Sequence, residues 1–205
     1  MSNLHDRSHF ENSYAGKPPW DMGKPQAASA ESVDLVISPV LDAGCGTGEN
    51  ALFLAASGHQ VTGIDFVDEA IRIARRKADE RGLTVEFQVK DALELGDWDK
   101  RFATVIDSGL FHVFSDEDRI QYVAGLTHVT EPGARLLLLC FCDEEPGSHG
   151  PRRVSQREIH AAFHGAWAVE NIRATLLDVR PDLEGISFSE GGPKAWFAII
   201  RRNSL

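Results

Sequence analysis

From Val40 onward, short apolar runs alternate with stretches whose apolar positions recur every three or four residues. Gly, Pro, Asp or Ser marks each switch, which is the punctuation expected between strands and helices. The runs Val40–Cys45, Gln60–Asp65, Val85–Lys90, Ala103–Ser108 and Arg135–Phe141 predict five strands. Between and after them, helices are predicted over Gly48–Ser57, from Asp68 to about Arg81, and from Asp116 to about Thr130. In the second of these, Ile71, Ala74 and Ala78 share one face, Asp68 is read as the N-cap and Gly82 as the glycine that ends the helix. Glu131-Pro132-Gly133 reads as a turn into the fifth strand, whose unbroken apolar run suits a strand covered on both faces. Ser155-Gln156-Arg157-Glu158 is a capping box in front of a helix reaching Phe163 or His164. Two further strands are expected near Ala168–Val179 and Lys194–Arg201. The alternation predicts an α/β fold, a Rossmann-like doubly wound sheet of seven mostly parallel strands that binds ligands at its carboxyl edge.

The first 30 residues break this pattern. Tyr14–Gln26 is rich in Pro and Gly and carries the pair Trp20-Asp21. Proline lowers the entropy cost of ordering a segment and Trp20 offers a large apolar face, so residues 1–30 are read as a lid over the domain formed by 31–205.

Composition narrows the ligand. The chain has 205 residues and a formal net charge of −10, a balance that repels phosphate backbones and argues against nucleic acid or an anionic membrane surface as partner. A small molecule is the expected partner, bound by a monomer or homodimer. Cys45, Cys140 and Cys142 form no C-x-x-C, and buried free thiols in a reducing cytoplasm are expected. The N-terminal residues lack the apolar core of a signal peptide, and Leu136–Cys142, the longest apolar run, is too short to span a bilayer. His160 and His164 lie four apart on a predicted helix, the spacing of a zinc pair, but no third ligand accompanies them and no metal is expected.

The chemistry concentrates at Val40-Leu-Asp42-Ala-Gly44-Cys-Gly46-Thr-Gly48, where a strand ends in a carboxylate and turns through alternating glycines into a helix. Such a turn lets a ligand approach the backbone where a Cβ would collide, and the following helix presents unpaired N–H groups. A dinucleotide site calls for G-x-G-x-x-G with an acid about 20 residues on. Here the spacing is the tighter G-x-G-x-G, and Asp65 ends the second strand. That spacing favours a ligand without a pyrophosphate, whose amino-acid moiety lies beside the loop with Asp42 near its ammonium. A nicotinamide-dependent oxidoreductase is the alternative; the chain has neither its glycine spacing nor a Tyr-x-x-x-Lys.

Four segments in order, Val40–Gly48, Gly63-Ile64-Asp65, Lys90-Asp91-Ala92 and Asp107-Ser108-Gly109, resemble the successive motifs of class I S-adenosylmethionine-dependent methyltransferases. The resemblance implies S-adenosyl-L-methionine as cofactor, S-adenosyl-L-homocysteine as product, and a last strand running antiparallel. It implies that Gly44, Gly46 and Gly48 make room for the cofactor, Asp65 holds its ribose hydroxyls and Phe66 packs on its adenine. Asp91 and the N–H of Ala92 would bind the adenine edge, and Asp107 and Ser108 would lie near the methionine portion. The Asn/Asp-Pro-Pro-Tyr/Phe motif of enzymes that methylate nucleic-acid amines is missing. The Pro19-Trp20-Asp21 segment, Phe111–Phe114 and Gly150–Ser155 resemble bacterial methyltransferases of heterocyclic toxins and quinolone-like compounds, and more loosely thiopurine and halide/thiol methyltransferases. A small aromatic or heterocyclic substrate is therefore expected, methylated at O, N or S. Trp20, Phe111, His112, His149 and Arg152 are its candidate contacts, with His112 either a general base or a positioning residue.

Overall fold

The computed structural model describes residues 7–183, 185 and 187–204. Seven strands form one sheet: β1 Val40–Ala43, β2 Val61–Asp65, β3 Glu86–Val89, β4 Phe102–Ser108, β5 Thr130–Phe141, β6 Trp167–Leu176 and β7 Lys194–Arg202. Their spatial order is β3-β2-β1-β4-β5-β7-β6. The five strands β3, β2, β1, β4 and β5 run parallel, and β7 is antiparallel to both of its neighbours. The chain leaves β1 towards β2 and returns on its other side as β4, so a crevice opens at the carboxyl ends of β1 and β4.

The helices are α1 Arg7–Tyr14, α2 Ala27–Ala30, α3 Glu49–Ala56, α4 Asp68–Arg81, α5 Asp116–Val129 and α6 Gln156–Ala162. They cover both sheet faces, which explains the continuous apolar run of β5. Leu136, Leu138 and Cys140 join the core that contains Tyr122, Leu126 and Ile159 of α5 and α6. Leu137, Leu139 and Phe141 alternate onto the opposite core with Leu52, Leu54, Ile71 and Ala74 of α3 and α4. The thiols of Cys140 and Cys142 are free, buried and in the same core. No helix among the described residues is long and apolar enough to cross a membrane.

Three local expectations change. Asp68 is the first residue of α4 rather than its cap; Val67 holds the cap position in extended backbone and no side chain caps it. A capping box that the sequence reading missed starts α5, where Ser115 Oγ accepts from Asp118 N–H and Asp118 answers to the Ser115 backbone. The Glu131-Pro132-Gly133 turn is an excursion inside β5, between the pairings Phe102–Thr130 and Thr104–Arg135. Gly82 does end α4 in the left-handed conformation, at φ +63°.

Candidate active site

A cavity of about 570 Å³ lies on the carboxyl edge of the sheet. Its floor is the turn after β1 (Gly44–Thr47) with the residues that leave β2, β3 and β4. Its roof is the N-terminal strap, including Phe10, Tyr14 and Trp20, and its far wall is formed by Phe141, Pro151, Leu177, Val179 and Phe188.

The three glycines of the turn all have positive φ, but they make room for different things. A Cβ on Gly46 would stand 2.7 Å from the Tyr14 hydroxyl, so this glycine lets the strap descend onto the turn. On Gly44 a Cβ would press on Leu110 at 3.1 Å. On Gly48 it would strike Phe87 Cζ at 2.7 Å and Ala74 Cβ at 3.0 Å, and Gly48 does not line the cavity. The expectation that Gly48 clears space for a ligand is corrected: it clears space for the β3–α4 core. Gly48→Ala combines overpacking with a left-handed backbone, and we expect it to cost about 2–3 kcal/mol of unfolding free energy. Urea denaturation measures this, and a loss below a few tenths of a kcal/mol would contradict the packing role.

Asp65 is buried at the end of β2 and lines the cavity. Its Oδ2 accepts from Gly46 N–H at 3.0 Å and its Oδ1 from Val67 N–H at 2.9 Å. Phe66 follows it, with Phe10 of the strap packed edge-on at 5.6 Å. Asp91 caps the short 3-10 turn Ala92–Asp97, accepting from Leu93 N–H at 2.9 Å, and both Asp91 and Ala92 line the cavity.

Two acids lie below the floor rather than in it. Asp42 is buried and Ala51 N–H bonds its carboxyl, while Oδ2 has no partner; burial, with Asp107 and Asp65 nearby, raises its pKa to about 7. Asp107 is fully buried and lies outside the cavity: Oδ1 accepts from the N–H groups of Leu110 and Phe111, and Oδ2 from Tyr122 Oη at 2.9 Å. Asp107 thus braces the turn after β4 instead of lining the cavity, where a cofactor contact was expected. Ser108, the next residue, faces the other way; its Oγ is buried without a partner and the residue lines the cavity.

His112 also lines the cavity, and its Nδ1 accepts from Phe141 N–H at 3.0 Å. Burial, and secondarily the charges of Arg119 and Arg153, lower its pKa to about 3. The ring is neutral with its Nδ1 lone pair occupied, so Nε2 carries the proton. That tautomer donates; it is not a poised base.

The other substrate candidates lie elsewhere. Phe111 is fully buried between Phe163 and the Arg119 guanidinium, 4.3 Å above its ring. Arg152 is held by Asp116 at 2.6 Å and Glu158 at 2.5 Å. His149 is exposed, and none of the three lines the cavity. His160 and His164 form no metal set; among the described residues no cluster of His, Cys, Asp or Glu could hold an ion.

The strap residues were legible only in part. Trp20 was expected, and its Nε1 donates to Tyr14 Oη at 3.0 Å. Tyr14, Phe10 and the latches were not. Asp21 accepts from Thr47 Oγ1 at 2.9 Å, beside Lys77, which bonds Glu49 at 2.8 Å. Gln26 exchanges hydrogen bonds with the Asp178 backbone, and Lys24 reaches the Asp178 carboxylate at 3.0 Å. No sequence signal pairs positions so far apart.

Two acids at adjacent strand ends, an aromatic ring beside one of them and the unpartnered oxygens of Asp42 and Ser108 suit a nucleoside joined to a charged amino-acid tail. The comparisons agree. A family described as a methyltransferase domain matches residues 40–133. The 2-heptyl-1-hydroxyquinolin-4(1H)-one methyltransferase of Mycobacteroides abscessus is 37% identical, over 98% of this chain and 92% of that protein. A solved structure concerned with conversion of a disulfide bond into a thioacetal group in echinomycin biosynthesis is 35% identical at a TM-score of 0.84, covering 96% of this chain and 92% of the other. The Burkholderia thailandensis 1,6-didemethyltoxoflavin-N1-methyltransferase shares the fold, with a TM-score of 0.73 at 22% identity over 97% and 87% of the two chains. With its strand order, glycine turn and near full-length relatives in agreement, the chain belongs to the class I S-adenosylmethionine-dependent methyltransferases.

Proposed function

We propose that the protein transfers the methyl group of S-adenosyl-L-methionine to an O, N or S atom of a small aromatic or heterocyclic molecule. The observation that carries this reading is the make-up of the far wall: Phe141, Phe188, Leu177 and Pro151 form an apolar slot for a flat ring. Ser108 and His112 are among the polar residues that line the same cavity. Pockets that are mostly apolar with a few fixed polar groups suit such ligands. The hydroxyquinolinone substrate of the Mycobacteroides relative is of this class.

In this reading Asp65 takes the ribose hydroxyls, Phe66 and Ala92 flank the adenine and Asp91 accepts from its amino group. Asp42 supplies negative charge beneath the amino-acid end. Bound there, the cofactor supplies an electrophilic methyl on a sulfonium. The chain's own part is to align the acceptor and exclude water, and residues 7–30 act as the lid that does the latter.

Ligand binding to the native state raises the melting temperature. At about 100 times Kd, S-adenosylmethionine or S-adenosylhomocysteine should add about 3 kcal/mol, a rise of about 6–12 °C for a chain of this size. NAD should add nothing. Differential scanning fluorimetry decides it, and stabilisation by NAD alone would sink the reading.

A further inference from the structure

Among the described residues that line the cavity, the histidine of the turn after β4 is not placed to take a proton from the methyl acceptor. His112 cannot: its Nδ1 lone pair is held by Phe141 N–H, which leaves the proton on Nε2, Nε2 makes no hydrogen bond to a described residue, and the residue lines the cavity. The charged groups around the ring keep it so. The guanidinium of Arg119, on α5, and that of Arg153, after β5, both disfavour an imidazolium. Their carboxylate neighbours are engaged: Glu158 binds Arg119 and Arg152, and Glu145 accepts from the backbone of Ser189 and Lys194. Asp107, beneath the same turn, is closed by Leu110, Phe111 and Tyr122.

The remaining acids of the cavity are also engaged. Asp65 and Asp91 hold backbone N–H groups, Asp21 and Glu49 share Lys77, and Asp178 binds Lys24 and Ala27 N–H. Tyr14 and Cys45 keep their protons, since burial pushes both pKa values up. His9 lines the cavity from the strap, where its ring meets Phe10 edge-on at 5.4 Å and Phe10 in turn packs on Phe66.

We propose that the substrate is an acidic, ring-bound hydroxyl compound taken up as its oxyanion, and that the Nε2–H of His112 is the donor that selects the anion. This rests on the proposed methyl transfer to an aromatic or heterocyclic acceptor. The balance of the reaction fits. A lone pair of the oxyanion forms the new O–C bond, the S–C bond breaks with its pair remaining on sulfur, and the two opposite charges vanish together. No proton moves, so no base is needed. A neutral phenol would leave an oxonium proton with nowhere to go. A hydrogen bond from a fixed neutral donor to an anion is also stronger than one to the neutral hydroxyl, which supplies the selection.

The test uses the full chain loaded with S-adenosylhomocysteine, which cannot react, and 4-nitrophenol, whose anion has its own visible absorbance. The bound ligand should titrate about one pH unit below the free one, a roughly tenfold preference for the anion. His112→Phe should abolish that shift, and His112→Gln, whose amide can accept from Phe141 and still donate, should keep most of it. With S-adenosylmethionine, the pH at which kcat/KM rises should follow each acceptor's own ionisation across a series of nitro- and halo-substituted phenols. Nitrophenol that binds in its protonated form, or one pH profile common to all acceptors, would overturn the inference and reveal a base in the protein while leaving the proposed function intact. If S-adenosylhomocysteine stabilises the protein yet no ring hydroxyl binds or is methylated, the acceptor class itself is wrong and the inference falls with it. The wild-type titration decides the matter even if His112→Phe does not fold.

Discussion

Asp65→Ala should weaken S-adenosylhomocysteine binding at least about tenfold. The carboxylate has two tasks at once. It anchors the glycine turn through Gly46 N–H and the start of α4 through Val67 N–H, and the residue lines the cavity. Removing it leaves two buried donors without partners, each costing about 1–3 kcal/mol, so the melting temperature of the apoprotein should fall as well. The two effects separate by experiment. Calorimetric titration at a temperature where the variant is fully folded reads affinity alone, and Asp65→Asn, which keeps one acceptor oxygen, should fall between wild type and Ala. Unchanged affinity in a folded Ala variant would reduce Asp65 to a structural brace.

The sheet was legible because its signals are local. Leu136–Phe141 is apolar at every position since both faces are covered, and Asp65 and Asp91 can be placed because one ends β2 and the other follows β3 at the same edge. What failed was the direction of side chains at that edge. Asp107 and Ser108 are neighbours, and a strand sends neighbours to opposite faces, so one braces α5 while the other enters the cavity. Phe111 fell on the core side for a similar reason, and the turn that Asp107 holds sets which residue of Phe111–Val113 faces in. The strap shows the other limit. Helix α1 reads Arg-Ser-His-Phe-Glu-Asn-Ser-Tyr, with only Phe10 and Tyr14 apolar, and its order comes from contacts with Phe66 and the glycine turn. Arg152 looked available in the sequence; Asp116 and Glu158, distant or on the next helix, occupy it. Such pairings depend on tertiary position, which periodicity does not encode.

Asp42→Asn should make the apoprotein more stable and the enzyme worse. Asp42 lies under the glycine turn with Oδ2 unpartnered, and burial raises its pKa from 3.8 to about 7. The sign follows from linkage. An acid whose folded pKa lies above its unfolded value carries no penalty at low pH, because both states are protonated. As pH rises from about 4 to 7 the unfolded chain releases the proton and the native state resists, so stability falls through that window and stays low above it. A neutral Asn removes the penalty: the gain should be near zero at pH 4 and up to about 4 kcal/mol at pH 8. A gain equal at both pH values would mean that packing, not ionisation, is responsible. The same substitution removes the negative charge nearest the proposed ammonium of the cofactor, so S-adenosylhomocysteine affinity at pH 8 should drop several-fold as stability rises. In the proposed function this opposition accounts for an unpartnered carboxyl in the core: its electrostatic cost in the apoprotein is relieved by the cofactor's ammonium above it. Thermal melts at the two pH values, with and without ligand, test both halves. The ligand-induced rise in melting temperature should be larger for Asp42 than for Asn at pH 8, and nearly equal for the two at pH 4.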